Sequence, residues 1–424
     1  MIETRGNELI IDGHPARELA AKYGTPLFVL SEDSIVAKCK AITQDFLDKY
    51  ENTRAAYAGK AFLTLAMCKI IEREGLCLDV VSGGELYTAI KAEFPAERIE
   101  FNGNNKSLEE LEMAIDYGVG RIIIDGTDEL ALIESVCKEK NKPVKALMRI
   151  TPGVDSHTHQ YITTGNVDSK FGIPQEESVF NGVFEAVLDS KWVDLVGLHF
   201  HVGSQLHEND SYLVATGILL ELIGKLKDKY GFVTRELNIG GGFGIRYTEA
   251  DDEKPYAYFL EPVMEKIKEG FAQLSLDMPA VVIEPGRSIV ANAGVTLYTV
   301  GTIKEIPGVR KYVSVDGGMT DNIRPALYES GYECFVATQE EAQETVTICG
   351  KCCESGDILI KDVTVRAPKR GDLLAVYSTG AYCYSMSSNY NKIPLLPVVM
   401  TSKGSERLIV RRQSYEDLIS RELV

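Results

Sequence analysis

The chain has 424 residues, of which 45% are hydrophobic and 25% charged, and its formal net charge is -17. This composition is typical of a globular protein with two domains, or with one barrel and an appendage. The acidic excess argues against binding to nucleic acid or to anionic membranes. No apolar run spans a bilayer, and the N-terminus lacks a signal-peptide pattern, so we expect a cytoplasmic protein.

The nine cysteines are an odd number and are scattered along the chain. This pattern indicates reduced thiols rather than a disulfide framework. Cys349 and Cys352 form a CxxC pattern, with Cys353 next to it. A zinc site would need a second pair of ligands at suitable spacing, so we expect no metal.

Residues 1–30 contain two strand-like segments, NELIIDG (7–13) and TPLFVL (25–30). The sequence from residue 289 to 424 is also rich in β-type segments with turn residues between them, such as VTLYTVGTIKEI (295–306). We therefore predict a C-terminal β-sandwich or barrel-like domain, completed by the N-terminal segment that packs on it.

Between residues 31 and 288, short apolar runs alternate with helical patterns. For example, Leu108, Leu111 and Ile115 recur at helical spacing behind Ser107, a good N-cap residue. Eight strands that alternate with helices predict a parallel (β/α)8 barrel, although a doubly wound open sheet remains the alternative. The eight predicted strands are TRAAYAG (53–59), LCLDVV (76–81), RIEFNG (98–103), RIIIDG (121–126), VKALMRI (144–150), VDLVGLHF (193–200), ELNIGG (236–241) and AVVIEPG (280–286).

Polar residues and glycines recur where these strands end. Barrel enzymes carry their sites on the loops at this end, so we expect the side chains to meet at one mouth. The residues concerned are Lys60, Asp79, Asn102, Arg149, His199, His201, Ser204, Gly240, Gly241, Gly242, Glu284, Pro285, Gly286 and Arg287.

Lys60 stands directly after an apolar strand. Lysine is rarely buried without a partner, and it forms a Schiff base with carbonyl cofactors. The ordinary alternative is an ion pair with Asp79. The glycines of IGGGFG either make a tight turn or hold a phosphate through backbone N–H groups, to which Ser204 could add a hydroxyl.

His199 and His201 lie two residues apart, so on a strand they share a face. They are either core histidines or rings that stack on an aromatic cofactor. Glu284 could pair with a protonated ring nitrogen, and Arg287 could bind a carboxylate, unless the two form an ion pair with each other. Together with Lys60, these are the parts that a pyridoxal phosphate site needs.

With these residues assembled, the chain resembles the diaminopimelate decarboxylases, in the barrel-type (alanine-racemase-like) class of pyridoxal-phosphate enzymes. The resemblance extends from YGTPLFVL (23–30) to NYNKIPLLPVV (389–399). It rests on the combination YAGKA, RITPGVDSHTHQYITTG, SKFGI, GLHFHVGSQ, NIGGGFG, EPGRSIV, VDGGMTDNIRPALY, CESGD and GAYCYSMSSNYN.

The resemblance implies decarboxylation of meso-2,6-diaminopimelate to L-lysine and CO2, the last step of lysine biosynthesis, with pyridoxal 5'-phosphate as cofactor. It implies a homodimer with shared active sites. Lys60 and Cys353 would be catalytic, with Cys353 and Glu354 reaching the site of the partner subunit. The cofactor would also contact Asp79, His201, Ser204, Gly240, Gly241, Gly242, Glu284, Pro285, Gly286, Arg287 and Tyr382, and the substrate would contact Arg287, Arg324, Tyr328, Glu354 and Tyr382.

Three alternatives remain at this stage. Another basic-amino-acid decarboxylase, of the ornithine or arginine type, would expect only an acidic partner at the far end of its substrate. A racemase of this fold would use a tyrosine as second base and would not need CESGD. A cofactor-binding pseudoenzyme would lack the lysine or the thiol, yet Lys60 and Cys353 are both present.

Overall fold

The computed structural model describes residues 1–126, 128–154 and 169–424. Within them the chain divides into two compact units. The domain boundaries that the sequence predicts after residues 30 and 288 are distinct from the limits of these units and remain a prediction. Unit 1 comprises Met1–Lys38, Ile245–Asp252 and Ile289–Val424, and unit 2 comprises Cys39–Gly244 and Glu253–Ser288.

The strands of the described residues fall into an N-terminal, a middle and a C-terminal set. They are β1 Ile2–Arg5, β2 Glu8–Ile11, β3 His14–Pro15 and β4 Leu27–Ser31; β5 Thr53–Ala58, β6 Cys77–Val80, β7 Ile99–Phe101, β8 Arg121–Ile124, β9 Val144–Arg149, β10 Val193–His199, β11 Glu236–Asn238 and β12 Ala280–Ile283; and β13 Gly294–Ile306, β14 Arg310–Val315, β15 Cys334–Ala337, β16 Gln343–Cys349, β17 Ile358–Arg366, β18 Leu373–Val376, β19 Val398–Ser402 and β20 Ser405–Val410.

The α-helices of the same residues alternate with the middle strands and are short elsewhere. None of the helices in the described ranges is both long and apolar enough to cross a membrane. They are α1 Ala16–Tyr23, α2 Glu32–Ile42, α3 Leu65–Arg73, α4 Gly83–Lys91, α5 Leu108–Tyr117, α6 Glu129–Lys140, α7 Glu177–Asp189, α8 Asp210–Tyr230, α9 Tyr256–Gln273, α10 Arg287–Val290, α11 Arg324–Tyr328 and α12 Tyr415–Ile419.

Unit 2 contains a closed parallel barrel in the order β5 to β12. The pairing of β12 with β5, at Ile283 and Ala55, closes the sheet. This confirms the predicted (β/α)8 barrel and excludes the open doubly wound sheet. All eight predicted strands form, and each ends before its predicted run does, because the last residues of the runs belong to the βα loops.

Local sequence explains where the barrel helices begin. Ser107 accepts a hydrogen bond from Glu110 N, and the Glu110 side chain accepts one from Ser107 N, which makes a capping box. Thr64 and Ser82 cap α3 and α4 in the same position. The helix predicted after Ser107 is therefore confirmed.

Ion pairs close the N-terminal end of the barrel. Glu236, at the start of β11 and 2% exposed, contacts Arg121 Nη2 at 2.7 Å and Arg54 Nη2 at 2.5 Å. The carboxylate is thus compensated by two guanidinium groups, as a buried charge requires. The opposite end of the barrel is left for the loops that carry the candidate site.

Unit 1 is mainly sheet, as predicted. The N-terminal strand β4 lies between β13, to which it is antiparallel, and β19, to which it is parallel. Its residues Leu27 and Val29 are fully buried and join a core with Val295, Leu297 and Val399. The N-terminal segment therefore completes the C-terminal β domain.

Candidate active site

Lys60 follows strand β5, in the short turn Gly59–Ala61. Its side chain is exposed. Among the described residues, its ammonium group forms no hydrogen bond or ion pair. Lys60 and Asp79 therefore do not form the ion pair that was the alternative explanation for this lysine. A primary amine at the mouth of the barrel is thus accessible to a carbonyl group.

Glu284, directly after β12, lies at the centre of a buried polar cluster. Its Oε1 accepts hydrogen bonds from His199 Nε2 at 3.0 Å, Asn238 Nδ2 at 2.9 Å and Asn102 Nδ2 at 3.2 Å. Among the described residues, no hydrogen bond reaches its Oε2. One oxygen is therefore held by the protein, and the other is left to face a ligand.

The charge of this carboxylate is stabilised by its surroundings. Burial by itself would raise the pKa of Glu284, but His199, His201 and Lys60 more than compensate and lower it. Burial and the charge of Glu284 raise the pKa of Asp79 well above its ordinary value. The surroundings therefore favour the charged form of Glu284 and the neutral form of Asp79.

His201 stands just beyond β10 and is kept neutral. Burial, followed by the positive charges of Lys60 and Arg149, lowers its pKa well below the ordinary value. The same state is required by a hydrogen bond, because Gly241 N donates to His201 Nδ1 at 3.2 Å. A neutral ring with a fixed orientation is suited to stacking on a flat aromatic group.

The loops after β10, β11 and β12 approach each other so closely that side chains are excluded. A Cβ on Gly240, Gly241 or Gly242 would lie 2.6, 1.9 or 2.2 Å from a backbone oxygen of a neighbouring loop. Within the described residues, the N–H group of Gly242 has no protein acceptor, and neither has that of Gly286. These two N–H groups can bind a phosphate group.

Ser204 and Arg287 meet beside this glycine loop. Arg287 Nη2 donates a hydrogen bond to Ser204 Oγ at 2.9 Å, and Arg287 is 6% exposed. Pro285 accepts a hydrogen bond from Ala58 N through its carbonyl oxygen, which ties the loop after β12 to the strand before Lys60. The predicted barrel residues are thus gathered at one end of unit 2.

The barrel residues fit pyridoxal phosphate. The site offers an accessible amine, a glycine loop from which any Cβ is excluded, a neutral imidazole and an ionised carboxylate with one oxygen unused. Those are the donors and acceptors that the aldehyde, phosphate, ring and ring nitrogen of this cofactor require.

Unit 1 brings three of the predicted substrate residues together. The guanidinium carbon of Arg324 lies 5.1 Å from the ring centre of Tyr328 and 5.5 Å from that of Tyr382. Arg324 Nε also donates to Tyr332 Oη at 3.1 Å, and Arg324 is 5% exposed. A preorganised arginine among phenol groups is suited to binding a carboxylate.

Cys353 and Glu354 lie on a separate loop of unit 1, and both side chains are exposed. The buried carboxylate of Asp357 holds this loop, because it accepts hydrogen bonds from Met319 N at 2.7 Å and Cys352 N at 2.8 Å. Burial and Asp357 raise the pKa of Cys352 to about 11. Of the two adjacent thiols, Cys353 is therefore the accessible one.

Reasoning from the sequence missed the part that asparagines play in this site. The sequence marks Asn102 only as a strand end and Asn238 only as part of the NIGGGFG motif, yet both donate to Glu284. Their positions directly after or at the end of a barrel strand were the available signal. The whole DSHTHQYITTG segment (155–165) lies outside the described residues.

Comparisons with known proteins identify the class to which the chain belongs. A family model described as "Pyridoxal-dependent decarboxylase, pyridoxal binding domain" matches residues 32–291. The barrel and its mouth thus define the chain as a member of this class.

Similarity over nearly the full length of the chain identifies a particular family within this class of decarboxylases. The diaminopimelate decarboxylase of Bacillus subtilis (strain 168) is 49% identical over 423 residues, 99% of this chain and 96% of that protein. That of Bacillus methanolicus is 46% identical over 415 residues, 97% of this chain and 96% of that protein. The crystal structure of diaminopimelate decarboxylase from M. jannaschii in complex with L-lysine is similar with a TM-score of 0.94 and 35% identity, covering 100% of this chain and 98% of that chain. The chain belongs to the diaminopimelate decarboxylase family.

Proposed function

We propose that the chain decarboxylates meso-2,6-diaminopimelate to L-lysine and CO2 with pyridoxal phosphate as cofactor. The reaction is that of a carbon–carbon lyase and would be the last step of lysine biosynthesis. The observation that carries the proposal is similarity over nearly the whole chain, at 49% identity, to a decarboxylase of this substrate. A solved neighbour bound to L-lysine, the expected product, supports the same assignment.

The barrel residues would hold the cofactor. Bound pyridoxal phosphate supplies an electron sink for the negative charge left at Cα when CO2 departs. The amine of Lys60 would hold its aldehyde carbon, and ionised Glu284 would keep its ring nitrogen protonated. His201 would present the face of its neutral ring, with Asp79 beside the amine.

The phosphate end would be held mainly by backbone groups. The N–H groups of Gly242 and Gly286 would face the phosphate, in loops that approach so closely at Gly240 and Gly241 that no side chain fits. Ser204 would add its hydroxyl, and the cation of Arg287 would lie near. Tyr382 would contact both the cofactor and the substrate.

The substrate carries an amine and a carboxylate at each end. The site must therefore recognise the amino-acid group that lies far from the Cα–carboxylate bond that breaks. Arg287 and Arg324 would bind carboxylates, with Tyr328 beside Arg324, and Glu354 would bind the distal amine. The thiol of Cys353 would deliver the proton that replaces CO2 at Cα. An ornithine decarboxylase would have no use for the second arginine.

We further propose that the protein is a cytoplasmic homodimer with shared active sites. In this arrangement Cys353 and Glu354 serve the site of the partner subunit. The exposure of both side chains on a loop fixed by Asp357 supports this arrangement, because a rigid exposed loop can serve a second chain without unfolding.

An absorbance spectrum with assays of CO2 and lysine tests the reaction. The purified protein is expected to show a cofactor band near the visible edge and to release CO2 and lysine one-for-one from meso-diaminopimelate. Lys60→Ala should lose the band, whereas Lys69→Ala, an exposed lysine paired with Glu72 on helix α3, should keep it. A bound cofactor without CO2 release, or equal turnover of ornithine, would contradict the proposal.

Mixing two inactive variants tests the shared sites. Lys60→Ala and Cys353→Ala homodimers should each be nearly inactive. If subunits exchange, half of the dimers are mixed, and each mixed dimer has one intact site, so about a quarter of wild-type activity should return. No recovery, after subunit exchange is demonstrated with tagged chains, would place Lys60 and Cys353 in the same chain's site.

A further inference from the structure

One buried side chain, Asn238, joins the carboxylate cluster to the glycine loop. Its Oδ1 accepts a hydrogen bond from Gly240 N at 2.9 Å. Its Nδ2 donates to Glu284 Oε1 at 2.9 Å and to Glu100 Oε2 at 2.9 Å. Asn238 is 0% exposed, and these three bonds use both of its N–H groups and its oxygen.

The orientation of this amide is fixed by chemistry. A backbone N–H only donates, so the atom that faces Gly240 must be the oxygen. The NH2 group must then face Glu284 and Glu100, which accept. Rotating the amide by half a turn would set its NH2 group against the N–H of Gly240 and its oxygen against the ionised Glu284, so the site accepts one orientation only.

We propose that Asn238 is a positioning residue that sets Glu284 and Gly240 relative to each other. The backbones of these two residues are already joined by a hydrogen bond from Glu284 N to Gly240 O at 2.8 Å, and Asn238 adds the link that orients the Glu284 carboxylate relative to the loop that would hold the phosphate. The inference rests on the proposed function, because it needs pyridoxal phosphate to lie between these two groups.

Asn102 provides a matched control. It is also buried, and its Nδ2 also donates to Glu284 Oε1, at 3.2 Å, and to Asp79 Oδ1, at 2.6 Å. Among the described residues it makes no hydrogen bond to the glycine loop. Asn102 therefore contacts only carboxyl groups near the expected position of the cofactor ring, whereas Asn238 contacts both such a group and the loop that would hold the phosphate.

The test uses two probes that each resemble half of the cofactor. Pyridoxal lacks the phosphate, and inorganic phosphate lacks the ring. Their binding constants are measured on cofactor-free protein, by competition against pyridoxal phosphate. Asn238→Ala is expected to weaken both probes about tenfold, whereas Asn102→Ala should weaken pyridoxal about tenfold and change phosphate less than about twofold.

Two outcomes would overturn the inference: an Asn238→Ala protein that binds phosphate as the wild type does, or one that is indistinguishable from Asn102→Ala with both probes. If Asn238→Ala does not fold, Asn238→Ser replaces it, because serine is polar but too short to reach from Gly240 to Glu284. Wild-type protein that binds no pyridoxal phosphate would contradict the proposed function instead, so the two failures are distinguishable.

Discussion

His199 Nε2 lies 3.0 Å from Glu284 Oε1, with His199 1% and Glu284 8% exposed. Burial raises the pKa of this carboxyl group, and His199 makes the largest contribution that lowers it. We therefore expect His199 to act through Glu284 rather than by stacking, the alternative that the sequence offers for both histidines. Its removal should make the carboxylate easier to protonate.

Replacing His199 with leucine is expected to raise the pKa of Glu284, because a donor to the charged form is lost. NMR titration of the Glu284 carboxyl in cofactor-free protein should show a pKa raised by about one unit relative to the wild type. In His199→Gln, an amide N–H can take a place near that of Nε2, so the pKa should rise less. A Glu284 pKa in His199→Leu equal to that of the wild type would contradict this role.

Glu100 predicts a pH dependence of stability. Burial, with the charges of Glu284 and Glu236, raises the pKa of Glu100 from 4.5 to about 8. Between these two pH values the folded chain keeps a proton that the unfolded chain releases. The free energy of unfolding should therefore fall as pH rises through this window, by at most about 1.4 kcal/mol per pH unit, with no further loss above it.

Glu100→Gln removes this titration. The free energy of unfolding of the variant minus that of the wild type should increase from about pH 4.5 to about pH 8 and then level off. The exposed Glu269→Gln on helix α9 is the control for the substitution itself. Denaturant unfolding at several pH values measures both, and a flat difference for Glu100→Gln would show that this carboxyl is ionised in the fold.

Gly241→Ala should disrupt the site. The new Cβ would lie 1.9 Å from the backbone oxygen of Glu284, and two backbones cannot both stay in place. We expect pyridoxal phosphate to bind at least about tenfold more weakly and stability to fall by about 1–3 kcal/mol. Gly182→Ala, on helix α7 with open space around it, should leave cofactor binding unchanged. Equal cofactor affinity in the two variants would contradict the close packing of these loops.

The adjacent cysteines should behave differently. Cys353→Ala is expected to lower kcat about a hundredfold, with a much smaller change in KM, because an exposed proton donor is lost. Cys352→Ala should keep kcat within about threefold and lose about 1 kcal/mol of stability, since its thiol is buried and its pKa is raised to about 11. Steady-state kinetics decide, and a reversed order of the two effects would assign the role to Cys352.

Much of the fold could be predicted because its signals are local. The strands of the barrel are apolar runs, and Ser107 marks a helix start that the structure shows as a capping box. Packing of the N-terminal segment on the β domain also followed from its strand pattern. Closure of the barrel did not follow, because it depends on the pairing of β12 with β5, which lie more than 200 residues apart.

The sequence by itself identified the polar and glycine residues at the strand ends, because residue type and hydrophobic periodicity are local properties of the chain. It marked Lys60, Glu284 and the glycine loop in this way. Only the tertiary structure decided which partners these groups have. The convergence of His199, Asn102 and Asn238 on one oxygen of Glu284 joins four different strand ends, and the exposure of Cys353 beside buried Cys352 depends on the Asp357 carboxylate. Such contacts are set by the geometry of the closed barrel and of the loop, and spacing along the chain does not encode them.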